Sequence, residues 1–173
     1  MEISNINVLV QSILKLSKFD SNTIEFINQK IKVSDLLDKS VKKLLPLCDL
    51  RNININVNIN QESVLNCDVM WQVEALSNII KNCIEHSEDG SNIDIYVDKN
   101  NIYTSIKIVD YGSGIDKQDL PHIFDRFYKG KDSDVNSIGI GLALAKTIID
   151  KNNGSIMAKS DSNRTTFDVK YYI

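Results

Sequence analysis

Three clusters of residues in this sequence have types and spacings that suit chemistry. Asn78, Asn82 and Glu85 stand at i, i+4 and i+7, so a helix there would place them on one face. Asparagine is a mediocre helix former because its amide competes with the backbone, so two in register ask for a reason. Amide oxygens are neutral, hard ligands suited to a Mg²⁺ that keeps several waters and bridges phosphates. A solvated helix face in an Asn-rich chain would hold the same residues.

The second cluster is Asp110-Tyr111-Gly112-Ser113-Gly114-Ile115, directly after a strand-like run. A carboxylate where a strand leaves a sheet can accept a hydrogen bond from an exocyclic amino group such as that of adenine. Gly112 and Gly114 permit positive φ and close approach by a ligand, although a tight turn would need the same residues. The third cluster is Ser137-Ile138-Gly139-Ile140-Gly141-Leu142, which opens a helix. The free N–H groups and positive dipole end of that helix would favour phosphate. Residues 129–137, with Lys129 and Lys131, could fold over such a phosphate as a lid. A glycine-started helix after a polar loop is the plainer account.

The elements that must position these clusters follow from periodicity. Residues 1–19 read as a helix with Ile6, Leu9, Ile13 and Leu16 at 3-4-3 spacing and Val10 and Leu14 widening the stripe. Such a face suits either the domain's own core or a partner helix. Alternation predicts a strand over Ile24 to Val33. Ser34 would cap the next helix, which carries Leu36, Leu37, Val41, Leu44, Leu45 and Cys48 and which Pro46 should kink or end. Strands are expected over 53–59 and 63–67, then a long helix from about Val69 to Ser87 with Leu76, Ile79, Ile80, Cys83 and Ile84 buried. A hairpin follows over 93–98 and 102–109, then a helix from about Gly139–Gly141 to Lys151, and strands over 155–159 and 165–172. The order predicts an α+β fold, a two-layer α/β sandwich of helices on an antiparallel sheet.

Composition narrows the function classes. The chain has 173 residues and a net charge of −3 without a long basic run, which argues against a nucleic-acid partner. No apolar run approaches the roughly 20 residues that span a bilayer, and the start has no basic secretory region. Cys48, Cys67 and Cys83 sit in apolar contexts with no CxxC pair, so they read as reduced core residues.

Taken in order, the clusters resemble the boxes of the GHKL ATPase superfamily, which includes gyrase, Hsp90, histidine kinases and MutL. The histidine kinases match best. Residues 76–82 (LSNIIKN) resemble their N box, 110–115 (DYGSGI) their first glycine box, 121–128 (PHIFDRFY) their F box, and 139–146 (GIGLALAK) their second glycine box. Gly154 and Thr165-Thr166-Phe167 resemble their C-terminal pattern, and residues 14–19 the end of their dimerisation helix.

The resemblance implies a Bergerat-type fold over residues 24–173, with residues 1–20 as the C-terminal end of a dimerisation helix. It implies ATP and Mg²⁺ as cofactors. Asn82 would be the metal ligand and Asn78 would lie near the phosphates, the pair serving catalysis. Asp110 would read the adenine amino group, with Gly112, Gly114 and Ile115 beside the base. Gly139, Ile140, Gly141 and Leu142 would present the helix start to phosphate, and Thr166 would join the site. Phe124 and Phe127 would anchor the lid, as core aromatics in the first instance.

Some positions depart from the family. Glu85 and His86 stand where Lys and Tyr are common, so either Lys81, Lys129 or Lys131 would serve the phosphate instead, or affinity would be low. Glu85 would then orient a water or pair with a lid lysine, and His86 would stack near the base; a surface glutamate and a helix-end histidine are the plainer readings. Ser137 replaces a glycine, and Asn163-Arg164 replaces another.

The implied function is to bind MgATP and supply its γ-phosphoryl to a histidine on a dimerisation domain of the same kinase. A response regulator would act downstream, the full-length protein would be a homodimer, and this part would lie on the cytoplasmic side of a membrane-bound sensor. Neither His86 nor His122 suits the acceptor, so no self-phosphorylation is expected. A serine kinase of the anti-sigma type and a non-catalytic nucleotide-sensing module are the alternatives. A gyrase- or Hsp90-like ATPase fits less well, because Asn78 stands where those enzymes place a water-activating Glu.

Overall fold

The computed structural model describes residues 2–21, 23–130 and 139–173, with side chains from Val10 onward except Asp20. The side chains of Ile6 and Leu9, and residues Lys131, Ser137 and Ile138, lie outside that description.

The elements in chain order are α1 (Glu2–Asp20), β1 (Gln29–Lys32), α2 (Val33–Lys42), α3 (Leu45–Arg51), β2 (Asn54–Ile59), β3 (Val64–Cys67), α4 (Val69–His86), β4 (Asn92–Lys99), β5 (Tyr103–Asp110), α5 (Gly141–Lys151), β6 (Gly154–Asp161) and β7 (Arg164–Tyr172). Among the described residues the strands form a five-stranded sheet, ordered β2-β4-β5-β7-β6, and a two-stranded sheet of β1 and β3. β2 runs parallel to β4, and the remaining pairs are antiparallel. This is the expected α+β sandwich, except that its main sheet is mixed rather than antiparallel, because β2 joins β4 in parallel.

The register follows from alternation. Ile95 pairs Ile108, which pairs Phe167, which pairs Ala158; Val97, Ile106, Val169 and Ile156 form the next row. A slip of one residue would turn these rows to solvent, so burial of one face fixes the pairing. Against them lie Leu76, Ile79, Ile80, Cys83 and Ile84 of α4 and Ala145, Ile148 and Ile149 of α5, all fully buried.

Three local expectations need correction. The strand expected from Ile24 begins only at Gln29. The Ile27 N–H donates to the Asp68 carboxylate at 3.0 Å rather than to a neighbouring strand, and the Ile27 side chain is exposed. Ser34 is not the cap of α2: that position is Lys32, without a side-chain cap. The Glu62 carboxylate receives the Ser34 and Ser63 N–H groups instead. Pro46 neither kinks nor ends a helix. It lies in the first turn of α3, where its missing N–H has no partner to lose.

The C-terminal part of α1 joins the core. Leu16 and Phe19 are buried, and the Phe19 ring meets Trp71 of α4 edge-on at 4.8 Å. Val10, Ile13 and Leu14 stay between 41% and 49% exposed, so the apolar stripe of α1 is divided between the core and an outer face. We expect Phe19→Ala to lower unfolding free energy by about 3 kcal/mol in denaturant titration, as for other large-to-small core changes. Leu14→Ala should stay within about 0.5 kcal/mol of the parent.

Candidate functional site

α4 is the spine of the site. Its apolar stripe faces the sheet, which leaves Asn78 and Asn82 half-buried at the edge of that stripe and Glu85 and His86 exposed. At one end the Asn78 amide lies over the start of α5: a Cβ on Gly141 would stand 3.7 Å from its Oδ1. At the other end the last turn of α4 meets the end of β5. Asn78 and His86 are eight residues apart, about 12 Å along the axis. The two glycine boxes are thus gathered against one helix face.

Asp110 is 2% exposed and closes β5. Its Oδ1 accepts from the Gly112 N–H at 3.2 Å. Burial raises its carboxyl above the ordinary range; the Gly112 N–H, the Cys83 thiol, nearby His86 and the Thr165 N–H each offset part of that rise. The Cys83 thiol is in turn pushed up by its own burial and then by the neighbouring Asp110 charge.

The glycines divide into two kinds. A Cβ on Gly112 would stand 2.0 Å from the His86 carbonyl oxygen, and one on Gly114, at φ +78, would stand 1.9 Å from that of Asp161. Gly139, at φ +71, would meet the Tyr128 carbonyl at 2.3 Å. The close approach these three permit is that of the chain's own backbone. At Gly141 only ordinary van der Waals contacts of 3.7 Å and beyond would arise, so packing does not explain the glycine there.

Ser160 receives the Ile115 N–H at 2.7 Å and lies 3.1 Å from the Thr165 hydroxyl, which seats the first glycine loop on the β6–β7 turn. Phe127 N–H donates to the Gly139 carbonyl at 2.8 Å, so the flanks of residues 131–138 are clasped together. Lys129 is exposed at the near flank.

Several expected residues sit differently. Phe124 packs edge-on against Phe167 at 6.4 Å, as a core aromatic should. Phe127 does not: it is 57% exposed and held at φ +63, because its backbone is committed to Gly139. Thr166 points to the sheet face away from α4, while Thr165 faces inward and pairs across from Asp110. The period of two decides this, since Phe167, Val169 and Tyr171 are the inward residues. Ile140 is buried core, Leu142 packs half-buried against that core, and Ile115 is half-buried. Glu85 pairs with Lys81 at 3.4 Å, one turn back on α4. Sequence reasoning missed Thr165, Cys83 and Ser160. The alternation of β7 signals Thr165; nothing local signals the other two.

The metal question is one of donor chemistry. Among the described residues no group of His, Cys, Asp and Glu could hold an ion by itself. The half-buried amides of Asn78 and Asn82 fit a divalent cation that arrives with phosphate oxygens. A depression of about 270 Å³, lined by Asp98, Tyr103, Lys107, Asp168 and Lys170, lies on the opposite face of the sheet and includes none of the expected site residues. Its acids are engaged locally, Asp168 by Ser105 at 2.8 Å and Asp98 by Asn60 at 2.7 Å.

The sequence profile of the family of histidine kinase-, DNA gyrase B- and HSP90-like ATPases matches residues 67–172. The chain belongs to this family. The sensor protein SrrB of Staphylococcus aureus is 30% identical over 173 residues, covering 98% of this chain. The chain spans 30% of the length of SrrB. The histidine kinase AdeS of Acinetobacter baumannii has the same fold, with a TM-score of 0.82 at 21% identity over 98% of this chain and 79% of that one. So has the histidine kinase ThkA, solved in complex with the response regulator protein TrrA, with a TM-score of 0.80 at 19% identity over 99% of this chain and 48% of that one. The chain is thus an ATPase domain of the histidine-kinase type, and no helix among its described residues is long and apolar enough to cross a membrane.

The buried Asp110 of this ATPase domain makes two outcomes measurable. Its folded carboxyl lies above the unfolded value, so folding takes up a proton and ionisation opposes it. Stability from this group is greatest below the ordinary carboxylate range and falls as pH rises through the folded value. Asp110→Asn should therefore raise Tm at pH 7, and the gain should shrink as pH falls toward about 4. Gly112→Ala should destabilise by about 2 kcal/mol, because the added methyl overlaps the His86 carbonyl.

Proposed function

We propose that this chain binds MgATP and supplies the γ-phosphoryl group to a histidine of the dimerisation domain of a two-component sensor kinase. What carries this reading is the meeting of Asp110, the Asn78–Asn82 stripe and the start of α5 along one face of α4. The buried Asp110 carboxylate accepts the adenine amino group. Asn82, with Asn78 one turn away, holds the Mg²⁺ that arrives with the phosphates, and that ion supplies neutralisation of their charge. The N–H groups that open α5 face the phosphates at Gly141, which adds no side chain of its own beside Asn78.

Phosphoryl transfer depends mainly on positioning and charge, so the domain needs no covalent group of its own. The division of labour follows: residues 24–173 hold the nucleotide, and α1 continues a dimerisation helix that carries the acceptor. His86 is part of the nucleotide wall, and His122 is engaged with Asp125 at 2.9 Å on the F-box turn. Neither is placed to receive phosphate. The ThkA–TrrA complex supports a response regulator as the downstream partner. The homodimeric parent would be a membrane-bound sensor with this part on the cytoplasmic side.

A nucleotide-sensing module without turnover is the second reading. It is favoured by Glu85, whose pairing with Lys81 keeps that lysine on the outer part of α4.

Calorimetric titration with ADP and with ATP in Mg²⁺ tests the site. Asn82→Ala and Asp110→Asn should each weaken binding by about 1–3 kcal/mol, the loss expected for an unpaired polar partner. Unchanged affinity in both would sink the assignment while leaving the fold intact. With γ-labelled ATP the chain should acquire no acid-labile label by itself, and a separately supplied dimerisation domain with its acceptor histidine should. Failure to label that domain, with nucleotide binding intact, favours the sensing module.

A further inference from the structure

We propose that Arg51 is a positioning residue for the nucleotide site, acting through the last turn of α4. The inference rests on the functional reading above. A helix ends in carbonyls without partners and a partial negative charge. Here Arg51, the last residue of α3, answers both needs from more than thirty positions upstream. Its Nη1 donates to the carbonyls of Ile84 and Glu85, and its Nη2 donates to that of Ser87 at 2.8 Å. Its Nε donates to Asp89 at 2.8 Å, and its own carbonyl accepts the Gly90 N–H at 3.0 Å. The guanidinium is half-buried, with 26% side-chain exposure.

The opposite side of the same turn forms the Asp110 wall. The His86 carbonyl abuts Gly112 so closely that no Cβ would fit, and Cys83 and His86 flank the Asp110 carboxylate. Movement of residues 84–87 therefore moves the surface expected to meet adenine. The negative helix end and the buried carboxylate also converge here, at the base end of the site, and Arg51 places a permanent cation behind them. Only a planar fork reaches three carbonyls and a carboxylate together; a lysine presents one point charge.

Arg51 acts at the base end of the site, and its hydrogen-bond partners among the described residues are Asp89, Ile84, Glu85, Ser87 and Gly90. Its loss should accordingly weaken adenosine, ADP and ATP by the same factor. We expect Arg51→Met to lose about tenfold for all three, as for partners that orient binding groups without touching the ligand. Arg51→Lys should fall between that variant and the parent, and Asp89→Asn, which removes only the exposed partner, should bind as the parent does. An Ile148→Val variant, destabilised but remote, controls for stability: it should keep its affinity and an unshifted Gly112 amide resonance, whereas Arg51→Met displaces that resonance.

Equal affinity in both Arg51 variants, or a loss confined to ATP, would overturn the proposal. If Arg51→Met does not fold, Arg51→Lys carries the test, and unchanged binding of all three ligands by it overturns the proposal equally. A parent protein that binds no adenine nucleotide overturns the functional reading itself, an outcome distinct from any in the variant series.

Discussion

The rotation of α4 about its own axis governs the site, and one apolar stripe sets that rotation. Leu76, Ile79, Ile80, Cys83 and Ile84 are fully buried against the sheet and its neighbouring helices. Each such side chain contributes roughly 1.5–3 kcal/mol by leaving water. Turning the helix by one residue would bring Asn78 and Asn82 inward, or in the other sense Lys81 and Glu85. The amides are therefore held at the edge of the core by residues that take no part in chemistry. Their half-buried position is what a ligand-binding amide needs: near enough to the interior to be ordered, near enough to the surface to be reached.

Beside the Arg51 side chain, close backbone contacts hold the margins of the site. Gly112 lets β5 lie on the last turn of α4, Gly114 lets the following loop lie on the β6–β7 turn, and Gly139 lets the segment before α5 close on Tyr128. Backbone-to-backbone contacts of this kind have little freedom to adjust, because neither partner has a rotamer to change. They make the site rigid at its margins. Phe127 accepts a left-handed φ of +63 for the sake of one such closure, a conformation that ordinarily costs an aromatic residue about 1 kcal/mol or more. The exposed ring that results is a by-product of the clasp between its backbone and Gly139.

The long, strongly periodic elements were legible from the sequence. The α4 and α5 stripes and the β4–β5 hairpin declared themselves by period, and the four boxes fall along or beside them. What escaped was decided by contacts between distant segments. The run from Ile24 alternates like a strand, yet Asp68 takes the Ile27 N–H. The cap of α2 comes from Glu62, nearly thirty residues away. Phe127 has the composition of a core aromatic, but a backbone bond to Gly139 turns it outward. Thr166 is a case of a different kind: the alternation of β7 held the answer, and the pattern of the box overrode it. Glycine was ambiguous throughout, because the letter is the same whether the space is for a ligand or for another part of the chain.

Two buried carboxylates show how structure can separate support from function. Asp68 is 7% exposed, and both of its oxygens have structural partners: the Trp71 N–H at 3.2 Å, which caps α4, and the Ile27 N–H at 3.0 Å, which ties the α1–β1 connection to it. Its burial is accounted for by what it holds together. Asp110 is more deeply buried and has a comparable set of donors in Gly112, Thr165 and Cys83, yet its carboxyl is still raised, with desolvation the largest cause. A neutral amide would accept the same backbone N–H groups without that penalty. The charge is thus more than the fold requires. A donor arriving from outside, with its own hydrogen directed at this carboxylate, would stabilise the charged form that the empty fold disfavours. Folding alone does not favour the charge at this residue, which agrees with the proposed role of Asp110 as acceptor of an adenine amino group.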